Sequence, residues 1–306
     1  MYSWLINPVL ATFQLHHNYI QLNVDNMFSN FYKTSPIGYG FASWISIIIC
    51  AFLFNNEFNK IKILSKAHLL PSFIFCFLFL LNKQWWGLHV HYFLMLIAMY
   101  VSFTSFKFAS LLHPKSTIFN LGIFIGIAGI IWFPAHFLML AVFAAFIRLR
   151  AFNIREYLLF IVGVIMPYYI VISILYLTNQ TVHISGFLPA FGALTIPAIF
   201  KSTLWLSVWG FIALLTIVGI IIILNNNNRQ VMLVKSTWGL IFFNFTILVF
   251  ILFSSLYDSA LLSALLIWPL ATIHCAFYLI PKQTRFANIC IYATIGLIVV
   301  NAFFVK

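Results

Sequence analysis

The sequence predicts an all-α protein, a polytopic transmembrane helical bundle of ten or eleven spans. Of its 306 residues, 64% are hydrophobic and only 7% are charged. Long apolar runs with few charges recur from one end of the chain to the other, and a water-soluble core could not hide this much apolar surface. The polar segments between the runs are too short to fold alone, so we expect a single transmembrane domain over residues 1–306.

The central stretch of the chain sets the predicted topology. Residues 118–147 contain no charge and form a run longer than the ~20 residues that one membrane-crossing helix needs. Basic residues flank both of its ends, which places both ends on the cytoplasmic side. Pro134 interrupts the run near its middle, because proline lacks a backbone donor and restricts the residue before it. We therefore predict a tight helical hairpin with arms Ile118 to Phe133 and Ala135 to Ile147.

Eight further spans are predicted from the other apolar runs, and two segments are less regular. Residues 1–37 read as a weak first span followed by an outer loop, and residues 178–202, broken by glycines and prolines, as an outer re-entrant or interfacial segment. The eight spans are Tyr39 to Phe54, Leu69 to Leu81, Tyr92 to Phe106, Tyr157 to Leu177, Leu204 to Leu224, Trp238 to Leu256, Ala260 to Ile280 and Ala287 to Phe304.

The basic residues give this arrangement its orientation. Twelve of the 16 lysines and arginines fall in loops that the arrangement assigns to one side, and the bias of Lys and Arg towards the cytoplasm identifies that side. We expect a bacterial inner-membrane protein with its carboxyl terminus on the outer side. The net charge of +12 is scattered singly along short loops, so we do not expect a nucleic-acid partner.

The polar residues of the outer side are candidates for lining an outer cavity. They are His89, His91, His183 and Asp258. His89 and His91 could share a metal ion, but no carboxylate accompanies them, and we favour interfacial hydrogen bonding. The four cysteines lie singly in apolar runs, which favours small core residues over zinc ligands or disulfides. We expect neither a metal nor a cofactor.

Two histidines inside apolar runs are more specific. His136 follows the break, where it either caps the backbone at Pro134 or reaches the phosphate of a ligand. His274 lies deeper in its run, where an ionisable side chain is costly and often functional. We favour a neutral His274 that bonds to a facing helix.

Scarcity of acids limits the possible chemistry. Only Asp25, Glu57, Glu156 and Asp258 are present, and none falls at the middle of a span, which argues against ion-coupled transport. Glu156 stands at the expected start of a helix, where a carboxylate suits the positive end of the dipole. We interpret it as structural.

Three arginines gather in the turn after the hairpin. Arg148, Arg150 and Arg155 are expected at the inner headgroups, where an orientation signal explains most of their placement. The sharper hypothesis is a bound lipid phosphate, because the guanidinium fork matches phosphate in a bidentate manner.

The pattern GIFIGIAGIIWFPAHFLMLAVFAAFIRLRAFNIREYLLFIVGVIMPYYIVI resembles a multi-pass membrane family of the Bacteroidota whose function is unknown. The resemblance covers roughly residues 38–180, and its most specific part is the turn Phe152 to Glu156. The same order of a small-residue span, a break, an apolar arm, a basic turn and a span closing on Pro167 and Tyr168 is distantly similar to C-type, polyprenyl-phosphate-sugar-dependent membrane glycosyltransferases.

This resemblance implies a function and one catalytic candidate. In the C-type fold the catalytic acid lies in the first outer loop, here residues 20–37, so Asp25 would be the general base that activates an acceptor hydroxyl. The implied partners are membrane lipids and a polyprenyl-phosphate-linked sugar in envelope glycan assembly. The loop has no paired acid, so a catalytically silent relative is an alternative. A non-catalytic subunit that binds protein partners in the membrane, and a transporter or flippase, are two others.

Overall fold

The computed structural model describes residues 27–28, 30–63, 68–81, 91–110, 114–150, 152–177, 203–227, 230–252, 264–279 and 284–304. Over these ranges the protein is all-α, and they contain no strand. We number ten helices in chain order: α1 Pro36–Lys60, α2 Leu70–Leu80, α3 His91–Phe106, α4 Lys115–Ile131, α5 Leu138–Leu149, α6 Ile154–Leu177, α7 Thr203–Asn227, α8 Met232–Leu252, α9 Ile267–Leu279 and α10 Thr284–Phe304.

Each of the ten firmly predicted spans overlaps one of these helices, and four helices are long and apolar enough to cross a membrane. The four stretches are Pro36–Lys60, Ile154–Leu177, Val208–Asn226 and Met232–Phe250. The apolar stretches found in the other six helices have 10–17 residues, fewer than the ~20 of a typical span; in α10, which is 21 residues long, the stretch is Asn288–Val300. The all-α fold is therefore confirmed, and the four long apolar helices agree with the predicted membrane character. The total of ten or eleven spans stays a prediction.

The break at Pro134 lies where the sequence places it, but the second arm of the predicted hairpin begins later. Helix α4 ends at Ile131, and Trp132 is extended with φ −154° and ψ 108°. A 3-10 helix, Phe133–Phe137, follows, so α5 starts at Leu138 and not at Ala135. With 12 residues, α5 is about 18 Å long, well short of a ~30 Å hydrocarbon core.

The chain forms two compact units, and each is described by itself. Unit 1 contains the described residues 27–34 and 96–177, and unit 2 contains 35–95 and 203–304. The prediction of a single transmembrane domain over residues 1–306 stays a prediction. The predicted weak first span lies outside the described residues, as does the predicted re-entrant segment 178–202.

In unit 1, α4 packs closely along α6. A Cβ atom on Gly122 would collide with the carbonyl oxygen of Phe160 and lie 2.9 Å from the Cα of Gly163. One turn further on, a Cβ on Gly126 would lie 3.0 Å from Cγ of Pro167. Small residues four apart let two helix backbones approach in this way. The main partner of α4 is consequently α6, whereas the hairpin prediction paired it with α5.

Helix α5 packs on the start of α6 through aromatic rings. The ring centroid of Phe146 lies 4.9 Å from that of Tyr157 and 5.9 Å from that of Phe160. On its other side Phe146 stacks on Phe108, with centroids 4.9 Å apart and planes 6° apart. Because these contacts hold the end of α5, they fix the position of the turn between α5 and α6.

Unit 2 is built around α9. Every residue from Ile267 to Phe277 is buried, and α9 contacts α2, α7, α8 and α10. Helix α1 packs on α2, where the rings of Phe54 and Phe75 stack with centroids 5.2 Å apart. A helix that is apolar all round is expected at such a central position. The four cysteines are free thiols on these helices, three of them buried, and Cys76 is partly exposed.

The close approach of α4 and α6 can be tested with a single methyl group. We expect Gly122→Ala to lower the free energy of unfolding by about 1–3 kcal/mol, because the new Cβ meets backbone atoms that can move only with the whole helix. Thermal unfolding in detergent or nanodiscs measures the effect. Gly40→Ala is the matched control, since no heavy atom lies within 4 Å of a Cβ at Gly40. Equal melting temperatures for the two variants would contradict the packing described.

Candidate functional site

The described residues contain four arrangements that could serve function. The basic turn comprises residues 148–156, and the hairpin bridge comprises Phe133, His136 and Tyr168, both in unit 1. The central pair is Thr216 with His274, in unit 2. The apolar groove lies beside the central pair, between α7, α8 and α9.

Asn153 begins α6 at the basic turn. Its side-chain Oδ1 accepts a hydrogen bond from the backbone N–H of Arg155 at 3.2 Å, and its carbonyl accepts from the N–H of Glu156 at 3.0 Å. Asparagine is a favourable N-cap because it satisfies an N–H that has no partner in the helix. Glu156 lies in the first turn, where its charge complements the helix dipole. Its structural interpretation is thereby confirmed.

Arg150 ties the basic turn to the preceding chain. Its Nε lies 3.3 Å from Oε2 of Glu156, and its Nη1 donates to the carbonyl of Phe108 at 3.2 Å. The Glu156 residue is only 7% exposed, so this carboxylate requires a cation beside it. The main role of Arg150 is therefore to stabilise the turn.

A cleft of about 410 Å³ opens at this turn. Its lining residues are Phe108, Ala109, Leu149, Arg150, Phe152, Asn153 and Glu156. Arg148 and Arg155, in contrast, have exposed side chains. The structure thus brings the three predicted arginines onto one turn and divides their roles. Arg150 is internal, and the other two point outward, where a phosphate can reach them.

His136 is held inside unit 1 by both ring nitrogens. Nδ1 lies 2.8 Å from the carbonyl oxygen of Phe133, so it carries the proton and donates. Nε2 then accepts from the hydroxyl of Tyr168, 3.1 Å away on α6. A side chain on Gly129 would overlap the imidazole ring, so glycine makes room for it. His136 bonds to a backbone carbonyl at the break, although no side chain caps the helix ends there, and phosphate binding by His136 stays a prediction.

The central pair joins α7 to α9. The Thr216 hydroxyl donates to the carbonyl of Ile212 at 2.7 Å, and Nε2 of His274 donates to the same Thr216 oxygen at 3.0 Å. Three residues further along α7, a Cβ on Gly219 would lie 2.9 Å from Cγ2 of Ile273. The bond to a facing helix that the sequence predicts for His274 is confirmed. Close contact at Gly219 brings the two helices near enough to make it.

The apolar groove has a volume of about 430 Å³. Its walls come from α7, α8 and the start of α9: Trp209, Gly210, Ile212, Ala213, Thr216, Ile217, Ile220, Phe245, Val249, Leu252, Leu266 and Leu270. Gly210, Ala213 and Ile217 are exposed, so the groove is open along one side. A concave apolar surface of this size falls in the range of small-molecule sites, ~300–1,000 Å³.

Five further residues were predicted from the sequence as site residues. Asp25, His89, His183 and Asp258 lie outside the described residues, and His91 is the first residue of α3 with its side chain likewise undescribed. Both described acids have cationic partners. Glu57 pairs with Lys60 at 2.6 Å, and Glu156 pairs with Arg150. Within the described ranges no three His, Cys, Asp or Glu side chains converge as metal ligands would.

The sequence analysis did not identify the roles of Tyr168 and Thr216, nor those of the contact glycines, which are the glycines at helix contacts, Gly122, Gly126 and Gly219. A spacing signal existed for some of them, because Gly122 and Gly126 stand four residues apart in an apolar run, as in helix pairs of membranes. Thr216 and Gly219 stand three apart, so they share one face of α7. Tyr168 gave no signal of its own, since its partner His136 lies 32 residues away.

No protein-family model, curated protein or solved structure matches this chain. Its class rests on its own structure, an all-α protein with four helices long and apolar enough to cross a membrane. The resemblances to the Bacteroidota family and to C-type glycosyltransferases remain predictions.

The central pair yields a stability test. We expect Thr216→Val to lower the free energy of unfolding by about 1–2 kcal/mol, because His274 loses its partner at a buried position. Thr246→Val is the matched control. It removes a hydroxyl that is exposed and bonds only to Phe242 of the same helix, at 2.9 Å. Thermal unfolding of both variants measures the difference, and an equally small effect for both would argue against a stabilising pair.

Proposed function

We propose that this protein is a multi-pass inner-membrane protein that binds a lipid-linked substrate of the polyprenyl-phosphate type in envelope glycan assembly, without catalysing sugar transfer itself. The observation that carries the proposal is the basic turn. Its two exposed arginines stand beside the start of a helix long enough to cross a membrane. Arginine binds phosphate through paired N–H donors, and a helix N-terminus adds favourable partial charge for an anion.

Separation of roles among the arginines supports this proposal. The ion pair with Glu156 and the bond to Phe108 hold Arg150 in place, which fixes the backbone from which Arg148 and Arg155 project. A phosphate can contact those two side chains while the Arg150–Glu156 pair remains intact. Each such cation gains about 1 kcal/mol near an anionic membrane surface.

Binding is favoured over catalysis by the distribution of acids. Glu57 and Glu156 are committed to ion pairs with Lys60 and Arg150, so neither is suited to act as a general base. Asp25 and Asp258 are the other two acids of the chain. An active glycosyltransferase would have to use one of these two residues as its general base. The proposed non-catalytic role does not require Asp25 to act as a base.

The phosphate site can be tested with two ligands of equal chain length. We expect the double variant Arg148→Gln, Arg155→Gln to bind a polyprenyl phosphate at least about ten-fold more weakly, since it loses roughly 2 kcal/mol of charge interaction. Binding of the corresponding polyprenyl alcohol should not change, because it has no phosphate. Titration of purified protein in phosphatidylcholine nanodiscs, with native mass spectrometry as the readout, gives both affinities.

The matched control removes two cations elsewhere. Lys60 is the last residue of α1, Lys62 follows the helix, and both are exposed. The double variant Lys60→Gln, Lys62→Gln should leave the preference for phosphate over alcohol intact. The same loss in both double variants would indicate a general charge effect and overturn the site. Co-purification of a protein partner without any preference for the phosphate would favour a non-catalytic subunit of a larger complex.

We further propose the topology of ten or eleven spans with the carboxyl terminus outside, from the twelve-to-four distribution of basic residues. We expect a cysteine introduced at Lys306 to react with an impermeant maleimide on intact spheroplasts. A cysteine at Asn225, at the end of α7, should react only after permeabilisation. Labelling of the wild-type protein gives the background from its own four cysteines. Reaction of both introduced cysteines from the same side would refute the topology.

A further inference from the structure

The groove of unit 2 is apolar, whereas the basic turn is cationic. The walls of the groove belong mainly to α7 and α8, two of the four helices that are long and apolar enough to cross a membrane. On α7 the lining positions Trp209, Ala213, Thr216 and Ile220 recur at intervals of three and four, so they form one continuous helix face. A straight track therefore runs along α7. Phe245, Val249 and Leu252 of α8 form the facing wall.

The length of this track matches one leaflet of a bilayer. From Trp209 to Ile220 the helix rises through 11 residues, about 16 Å at 1.5 Å per residue. Half of a hydrocarbon core of ~30 Å is about 15 Å. The groove is therefore as long as the part of a lipid chain that lies in one leaflet.

The walls offer an occupant very little polarity. The Thr216 hydroxyl already donates to Ile212 and accepts from His274, so it has no proton left for a ligand. A headgroup inside the groove would lose its hydration without compensation. On the open side a Cβ on Gly210 would meet no heavy atom within 4 Å, which leaves lateral access from the surroundings of the helices.

We propose that this groove binds one hydrocarbon chain of a membrane lipid. The choice of leaflet rests on the proposed topology, in which α7 enters from the outer side, so the Trp209 end faces the outer headgroups and the chain comes from an outer-leaflet lipid. An indole near that end suits the interface, where one ring edge is wet. The chain site itself stands independently of the phosphate site at the basic turn.

The test uses phosphatidylcholine that carries a photoreactive diazirine in one acyl chain, incorporated into nanodiscs with the full-length protein. We expect adducts on the groove residues of α7 and α8, mapped by mass spectrometry. Ala213→Phe fills the groove and should lower their yield by about ten-fold. Leu214→Phe is the matched control, because Leu214 is the neighbouring residue, 55% exposed and outside the groove. It should leave the yield unchanged.

Two results would overturn the proposal. Equal labelling of groove residues in the two variants would show that the groove is not a site. If Ala213→Phe does not fold, Gly210→Leu replaces it, since the space beside Gly210 is open. Disulfide cross-linking of Ala213→Cys between two copies would assign the groove to a second copy of the chain.

The position of the diazirine decides the leaflet. A group near the headgroup should mark the end at Trp209 and Leu252, and a group near the terminal methyl should mark the end at Ile220 and Phe245. The reverse order would overturn the outer-leaflet assignment and the topology behind it. Failure of the phosphate test alone would leave these adducts unchanged, so the two proposals can fail separately.

Discussion

The contact of two helix backbones at Gly122 and Gly163 is the constraint on which the rest of unit 1 depends. Lipid tails are as apolar as the side chains of these helices, so burying hydrocarbon between helices yields little, and close packing must supply the attraction. The glycines allow that packing. They also determine where the start of α6 lies, and with it the aromatic contacts to α5, the N-cap at Asn153 and the direction in which the basic turn points.

Two histidines complete the packing, one in each unit. A polar atom away from water needs a partner. Buried hydroxyls such as those of Thr237 and Thr272 bond to a carbonyl of their own helix, whereas each of the two histidines bonds to a different helix. His136 bonds to the carbonyl of Phe133 at the break and to Tyr168 on α6, and His274 bonds to Thr216 on α7. In each case a glycine leaves room beside the bond, Gly129 for the first and Gly219 for the second. Polar bonds and small residues therefore act together.

The helices could be predicted from the sequence because apolar runs of membrane proteins are long and their interruptions are sharp. Trp132 and Pro134 stand at an observed helix end, and the bond of His274 to a facing helix followed from its cost in an apolar run. The partner of each helix could not be predicted, because the chain order suggests that α4 pairs with α5, whereas the contact glycines pair it with α6. The ion pair of Arg150 with Glu156 was missed for a similar reason. Three arginines look alike in a sequence, and only the fold shows which of them meets the carboxylate.

The central position of α9 has a consequence for how the protein is made. Residues Ile267 to Phe277 of this helix, with the polar Thr272 and His274 among them, are buried in the folded protein and offer almost no surface to lipid. Chains are synthesised from the amino terminus, so α2, α7 and α8 are all complete before α9 emerges. Its polar side chains then enter a membrane in which Thr216 is already present as a partner. The order of the helices along the chain thus matches an order of assembly in which this enclosed helix is added to helices that are already present.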